Sequence, residues 1–271
     1  MSDERPATTG LADRIGAAVP FAVDVEAGDE ARAAIGFILL ASERTIEREM
    51  HLLAPAGVGV HFTRVPIDNE VTVGSLSPIG DELSRAAATL LPDGIIDVIT
   101  YACTSGSVIL GQEQVEREIL KGAPGVKASS LIAGVVRALR ALDVRRVAMG
   151  TPYLEEINQL EIRYLEERGI DVVSHLGLQL RYDLDMSRVS LATIRRLAHE
   201  VDAANADAVF ISCGALRAIH VIEQLEAELG KPIVTSNQAM MWDVLTLAGI
   251  GDSISGYGRL LHQSRMASTR D

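Results

Sequence analysis

The chain reads as an α/β protein of two similar lobes, each a parallel sheet flanked by helices, related by a pseudo-twofold with the active site in the cleft. Three observations predict this. Short apolar runs alternate with amphipathic helical patterns, as in parallel sheets joined by crossover helices. Two stretches share a layout of strand, cysteine and helix: DVITYACTSGSVILGQEQV and DAVFISCGALRAIHVIEQL. The length of 271 residues gives a prior near two domains at roughly 150 residues each.

Residues 1–32 are rich in Ala, Pro, Gly and acids with weak periodicity, and are expected to form a leader that packs loosely or against a partner subunit. Strands are expected at AIGFILLA (34–41), GVGVHFTRV (57–65), DVITYA (97–102), RRVAMG (145–150), DVVSHLGL (171–178), DAVFIS (207–212) and KPIVTS (231–236). Between them TIEREMHLLAP, SPIGDELSRAAATLL, GQEQVEREIL, SSLIAGVVRALRAL, YLEEINQLEIRYLEERG, SLATIRRLAHEVDAA, LRAIHVIEQLEAELG and QAMMWDVLTLAG repeat apolar residues at helical spacing. Several of these end at glycine, a common helix terminator. The first lobe is expected over 33–128 and 238–262, the second over 129–237, with a tail at 263–271.

Composition narrows the function classes. Hydrophobic residues at 48% and charged residues at 23% match soluble globular averages and exclude disorder and collagen-like repeats. The formal charge of −12 opposes nucleic acid or an anionic membrane as the main partner. No apolar run reaches membrane-span length, and MSDERPATTG lacks a signal pattern, so a cytoplasmic protein is expected. The two cysteines, Cys103 and Cys213, are far apart, which fits neither a disulfide framework nor a cysteine zinc site.

Each cysteine stands at the carboxyl end of an expected strand, where open parallel sheets place ligands. A thiol beginning a helix faces unpaired N–H groups and the positive end of the macrodipole, so both are expected to be depressed in pKa. Free cysteine is also a common core filler. Thr104, Ser105, Gly106 and Ser107 add hydroxyls and a glycine that lets backbone N–H groups reach an anion; the plain alternative is an N-capped turn. Tyr153 in TPY carries a phenol at another strand end, and Asn237 and Gln238 follow the last strand. His220 falls two turns beyond Cys213 and is read as structural. No dinucleotide, P-loop or nucleophile-elbow motif is present.

YACTSGS, TPY, ISCGALRAI and LGKPIVTSNQAMMW, in this order, resemble the aspartate/glutamate racemase superfamily, within it the branch of maleate cis-trans isomerase and arylmalonate decarboxylase. GFILLASERTIEREM and YACTSGSVILGQEQV look closer still to the ectoine-utilisation proteins of that branch. The resemblance covers about Ile35 to Ile250. It implies one cysteine from each lobe facing the substrate, no metal or organic cofactor, a small carboxylate or amino-acid substrate, and a homo-oligomer. Thr104, Ser105 and Gly106 would cradle a carboxylate, with Tyr153, Asn237, Gly214 and Ser42 as further contacts. Arylmalonate decarboxylases resemble this chain in fold but lack the first cysteine, so Cys103 argues against simple decarboxylation.

The chain departs from the maleate pattern in the loop after the first strand, where Glu43 stands in place of a substrate-binding Asn. A second expected Asn aligns with Asp183 in RYDLDM. Two carboxylates at these places would repel a dianion and favour an amine beside the carboxylate, unless Arg44 pairs with Glu43 or the side chains turn away. The reading is therefore a cofactor-independent two-cysteine isomerase, maleate isomerase-like or racemase-like. Its alternatives are a catalytically silent amino-acid sensor on the same fold or a related decarboxylase.

Overall fold

The computed structural model describes residues 22–24, 32–67, 69–92 and 95–262; most of the expected leader and all of the expected tail lie outside them. The first half contains β1 (Ala33–Leu40), α1 (Ile46–Leu53), β2 (Val58–Val65), α2 (Val73–Leu76), α3 (Gly80–Ala88), β3 (Val98–Tyr101), α4 (Thr104–Leu110), α5 (Gln112–Gly122) and β4 (Lys127–Ser130). The second contains α6 (Leu131–Ala141), β5 (Arg146–Thr151), α7 (Glu155–Glu166), β6 (Asp171–Gly177), α8 (Asp183–Ser187), α9 (Leu191–Val201), β7 (Ala208–Ile211), α10 (Ile222–Leu229), β8 (Ile233–Thr235), α11 (Ser236–Leu247) and α12 (Arg259–His262). No described helix is long and apolar enough to cross a membrane.

All strand pairs within the two four-stranded sheets are parallel, and the sheets have equivalent orders, β2-β1-β3-β4 and β6-β5-β7-β8. β1 corresponds to β5 and β3 to β7, so the internal echo seen in the sequence is a repeat of topology. Every residue of β1 is buried, because both faces of a parallel sheet are covered and the strand must be a continuous apolar run. The chain leaves β1 toward one side for β2 and returns to the other side for β3. That reversal opens a crevice at the strand ends, and the second sheet repeats it between β5 and β7.

The seven expected strands all form. The sequence reading missed β4, whose KASS carries no apolar alternation; it pairs with β3 from Val98↔Lys127 to Tyr101↔Ser130. The lobe boundary expected at 128/129 therefore falls inside a strand of the first sheet. Helix α11 starts at Ser236, two residues before the expected return to the first lobe, and packs against both α6 and α1. Asp243 of α11 anchors this packing by accepting from Arg137 Nη2 and from the Ser129 hydroxyl, each at 2.7 Å.

Candidate functional site

The site is assembled from the connections after β1, β3, β5 and β7. After β1, Arg64 of β2 donates to the carbonyls of Leu40 (3.1 Å) and Glu43 (2.9 Å), fixing the turn. Glu43 then folds back: its Oε1 accepts the N–H groups of Thr45 (2.6 Å) and Ile46 (2.9 Å) and so caps α1. Its Oε2 is buried without a partner. Arg44 is exposed and makes no ion pair with it among the described residues.

After β3, Cys103 is the N-cap of α4, and its Sγ accepts the Gly106 N–H at 3.3 Å. The Ser105 hydroxyl lies 3.6 Å from the same sulfur. Thr104 and Ser105 begin α4, so their N–H groups have no intrahelical acceptor. Gly106 is required by packing, since a Cβ there would stand 2.3 Å from the Tyr101 hydroxyl oxygen.

After β7, Cys213 has φ +98, a region that β-carbon sterics disfavour and that costs about 1–3 kcal/mol. Its Sγ accepts the Ala215 N–H at 3.4 Å. The expectation of a helix N-terminus at this cysteine is corrected: a turn follows, then a 3-10 turn at Ala218–Val221, and α10 begins only at Ile222. The backbone N–H of Cys213 donates to the Ser236 hydroxyl at 2.9 Å, and the Thr104 hydroxyl donates to the same oxygen at 3.0 Å. One buried serine thus ties both cysteine loops together.

The loops after β2 and β6 close over these groups. Glu70 and Tyr182 form an antiparallel bridge, with Val71 N–H on the Arg181 carbonyl (2.9 Å) and Asp183 N–H on the Asn69 carbonyl (3.0 Å). Beneath lies a cavity lined by Cys103 and Cys213, by Glu43, Asp183 and Tyr153, and by Thr104, Ser105 and Gly214, with Leu40, Ile46, Val71 and Met186 as apolar walls. Its volume of about 20 Å³ has room for a single water. A ligand larger than one water would therefore need the overlying loops to part.

Most of the residues singled out from sequence meet in this cavity; Gly106, Asn237, Ser42, Ser107 and Gln238 do not line it. The Gly106 N–H is engaged by the Cys103 sulfur. Asn237 lies behind the wall, its Nδ2 donating to Glu49 Oε2 (2.6 Å) and to the Gly214 carbonyl (2.9 Å). The Ser42 hydroxyl is buried beside Asp183. Sequence reasoning missed Ser236, Glu49 and Tyr101. Ser236 had a signal: Thr235 and Gln238 form a capping box of the S/T-x-x-E/Q kind, which starts a helix at the residue that had been placed last in a strand.

The electrostatics also correct the expectation of depressed thiols. Burial pushes Cys103 up to about 11, although the Gly106 N–H and the Ser105 and Tyr101 hydroxyls pull it down. Burial drives Cys213 further above the usual thiol range, opposed by the Tyr153 phenol and the Ala215 N–H. Asp183 raises both thiols through its charge. Desolvation outweighs the local donors here because both sulfurs lie under closed loops. It also pushes Glu43 up to about 7 and raises Asp183. The two acids expected to repel a dianion are thus biased toward their neutral forms, in which each can donate a hydrogen bond as an amide would.

A family model for arylmalonate decarboxylase matches residues 68–261. Arylmalonate decarboxylase of Bordetella bronchiseptica is 35% identical over 149 residues, 54% of this chain and 62% of that protein, so that match spans under two thirds of the relative. Maleate isomerase of Nocardia farcinica (strain IFM 10152) is 26% identical over 241 residues, 84% of this chain and 95% of that protein. A solved mutant of the Nocardia farcinica maleate cis-trans isomerase with a covalently bound succinylcysteine intermediate shares the fold with a TM-score of 0.78 at 23% identity, covering 85% of this chain and 98% of that one. With the family match running across most of its length, this chain belongs to the arylmalonate decarboxylase family.

Proposed function

We propose that the protein is a cofactor-independent isomerase in which two cysteines act on a small carboxylate, maleate-like or an amino acid, with an ectoine-derived amino acid included in the class. The observation that carries this reading is that Cys103 and Cys213, at equivalent positions of two equivalent sheets, line one closed cavity. Two groups on opposite sides of one carbon or one double bond are what both cis-trans isomerisation and racemisation require.

The donors divide the roles. Cys103 begins a helix and faces a backbone N–H and a serine hydroxyl, so it is the better thiolate; Cys213, with one backbone N–H and a phenol, is the proton donor. In cis-trans isomerisation the Cys103 sulfur bonds to one alkene carbon while Cys213 gives its proton to the other. The carbon–carbon bond, now single, rotates. Cys213 then takes back a proton and the carbon–sulfur bond breaks, restoring the alkene and the thiolate. In racemisation one thiolate removes the α-proton and the opposite thiol delivers one to the other face. The N–H groups of Thr104 and Ser105 hold one carboxylate, and the Tyr153 phenol orients the substrate.

Decarboxylation with Cys213 as the proton donor is the second reading, favoured by the 35% identity to the Bordetella enzyme. Proton NMR in deuterated buffer separates the outcomes with a panel of maleate, aspartate, glutamate, 2,4-diaminobutyrate derivatives and an arylmalonate. Conversion to the trans alkene or deuteration at the α-carbon supports the isomerase, and a monocarboxylate product supports the decarboxylase. Binding of a panel compound without turnover, unchanged by replacing both cysteines, overturns the enzymatic reading.

A further inference from the structure

Beside the connections that follow β1 and β7, four basic side chains line one hollow. Arg44, Arg48, Arg217 and His220 line a second cavity of about 330 Å³, with the buried Glu49 in its wall. The chain has 12 more acidic than basic residues by formal charge, yet none of these three arginines forms an ion pair among the described residues. Among the described residues Arg217 donates to the Val189 carbonyl, at 3.2 Å, and to no other acceptor. Burial, and after it the charges of Arg48 and Arg217, holds His220 below its ordinary range, and the same two charges partly oppose the upward push that burial gives Glu49.

A second observation comes from Glu49 itself. It is 1% exposed, and its Oε1 is buried with no hydrogen-bond partner while Oε2 is taken by Asn237. Burial pushes this carboxyl up to about 8, so at neutral pH it holds a proton. Three guanidinium groups with no carboxylate partner among the described residues thus stand beside a buried acid that has one unsatisfied oxygen. An anion with several oxygens accepts from all of them, and charge-assisted bonds of this kind are the strong ones.

We propose that this cavity is a binding site for a small multivalent oxyanion, a phosphate or a di- or tricarboxylate, distinct from the catalytic cavity. The wall between the two is thin: the Thr45 hydroxyl donates to the Ala215 carbonyl at 2.9 Å. Glu49 reaches the catalytic loop through Asn237, which holds the Gly214 carbonyl next to Cys213. Glu49, in the wall of this cavity, is thus linked through two hydrogen bonds to the carbonyl next to the strained cysteine.

Calorimetric titration of the full chain with inorganic phosphate and, separately, with citrate at roughly 0.15 M salt tests this. The expected result is saturable binding of one anion per chain, with the tighter of the two probes identifying the source chemistry. Arg48→Ala and Arg217→Ala should each weaken it about tenfold or more, the loss of one charge-assisted bond, while a Cys103→Ser variant binds as the parent does. Both arginines are exposed, so unchanged thermal melts of the anion-free variants will show that the fold is intact. No saturable binding of either probe, or binding unmoved in both arginine variants, overturns the proposal. Loss of binding in Cys103→Ser also overturns it, by placing the anion in the catalytic cavity. The readout does not involve turnover and stands whether or not the isomerase reading holds.

Discussion

The hydroxyl of Ser236 accepts the backbone N–H of Cys213 at 2.9 Å, and from the other lobe the hydroxyl of Thr104 donates to the same oxygen. A fully buried side chain at the first turn of α11 thereby sets the spacing of the two cysteine loops. Ser236→Ala leaves a buried N–H and a buried hydroxyl unpaired, each costing about 1–3 kcal/mol. The variant is expected to melt earlier and to lose at least about tenfold in kcat, measured with whichever panel substrate turns over.

Backbone strain at Cys213 separates stability from activity. At φ +98 glycine is comfortable and alanine is not. Cys213→Gly should therefore be more stable than Cys213→Ala by about 1 kcal/mol, read from denaturant midpoints, while both are inactive. Equal midpoints would show that the loop relaxes once the sulfur is removed.

The protonation of Glu43 discriminates between substrate charges. With its carboxyl pushed up to about 7, it holds its proton below that pH and loses it above. A dicarboxylate binds the protonated form, so its KM rises as pH climbs through 7; a substrate with an ammonium group there shows the opposite trend. Glu43→Gln flattens either profile. KM measured from about pH 5.5 to about pH 8.5 (roughly one and a half units either side of neutrality) decides the sign.

Buried acids also predict an unusual stability profile. Glu161 of α7 is wholly buried, accepts from the Ser212 hydroxyl at 2.7 Å, and is pushed from an ordinary 4.5 up to about 7. The folded state therefore binds this proton more tightly than the unfolded chain does. Stability falls as pH rises between these two values, and above them the charged group costs about 3 kcal/mol. Glu161→Gln keeps the acceptor for Ser212 and should remove that part of the slope in melts taken from pH 4.5 to 8.5.

Much of this architecture was legible in the sequence because its signals are local. Buried parallel strands read as apolar runs, and the matching stretches around Cys103 and Cys213 are the two halves of a repeated topology. KASS of β4 was not legible, since it is held by pairing with β3 and by Asp243 of α11 rather than by its own pattern. Of the cavity residues, Tyr153 follows from its strand-end position, whereas Glu43 and Asp183 come from the family resemblance. Glu49 and the role of Ser236 follow from neither, because they depend on which distant loops α1 and α11 happen to meet. The raised thiol pKa values are illegible in the sequence for a related reason. A helix N-terminus is visible in a sequence, whereas the depth of burial beneath loops 69–71 and 181–183 is a tertiary property.

Both cysteines are expected to act in one reaction, and steady-state turnover of Cys103→Ala and Cys213→Ala, each checked for an intact fold, tests this most directly. Each replacement is expected to lower kcat by at least about a hundredfold, the scale of a lost proton-transfer group. Substantial turnover retained in Cys103→Ala would contradict the two-cysteine mechanism and leave Cys213 as the sole proton donor of a decarboxylase.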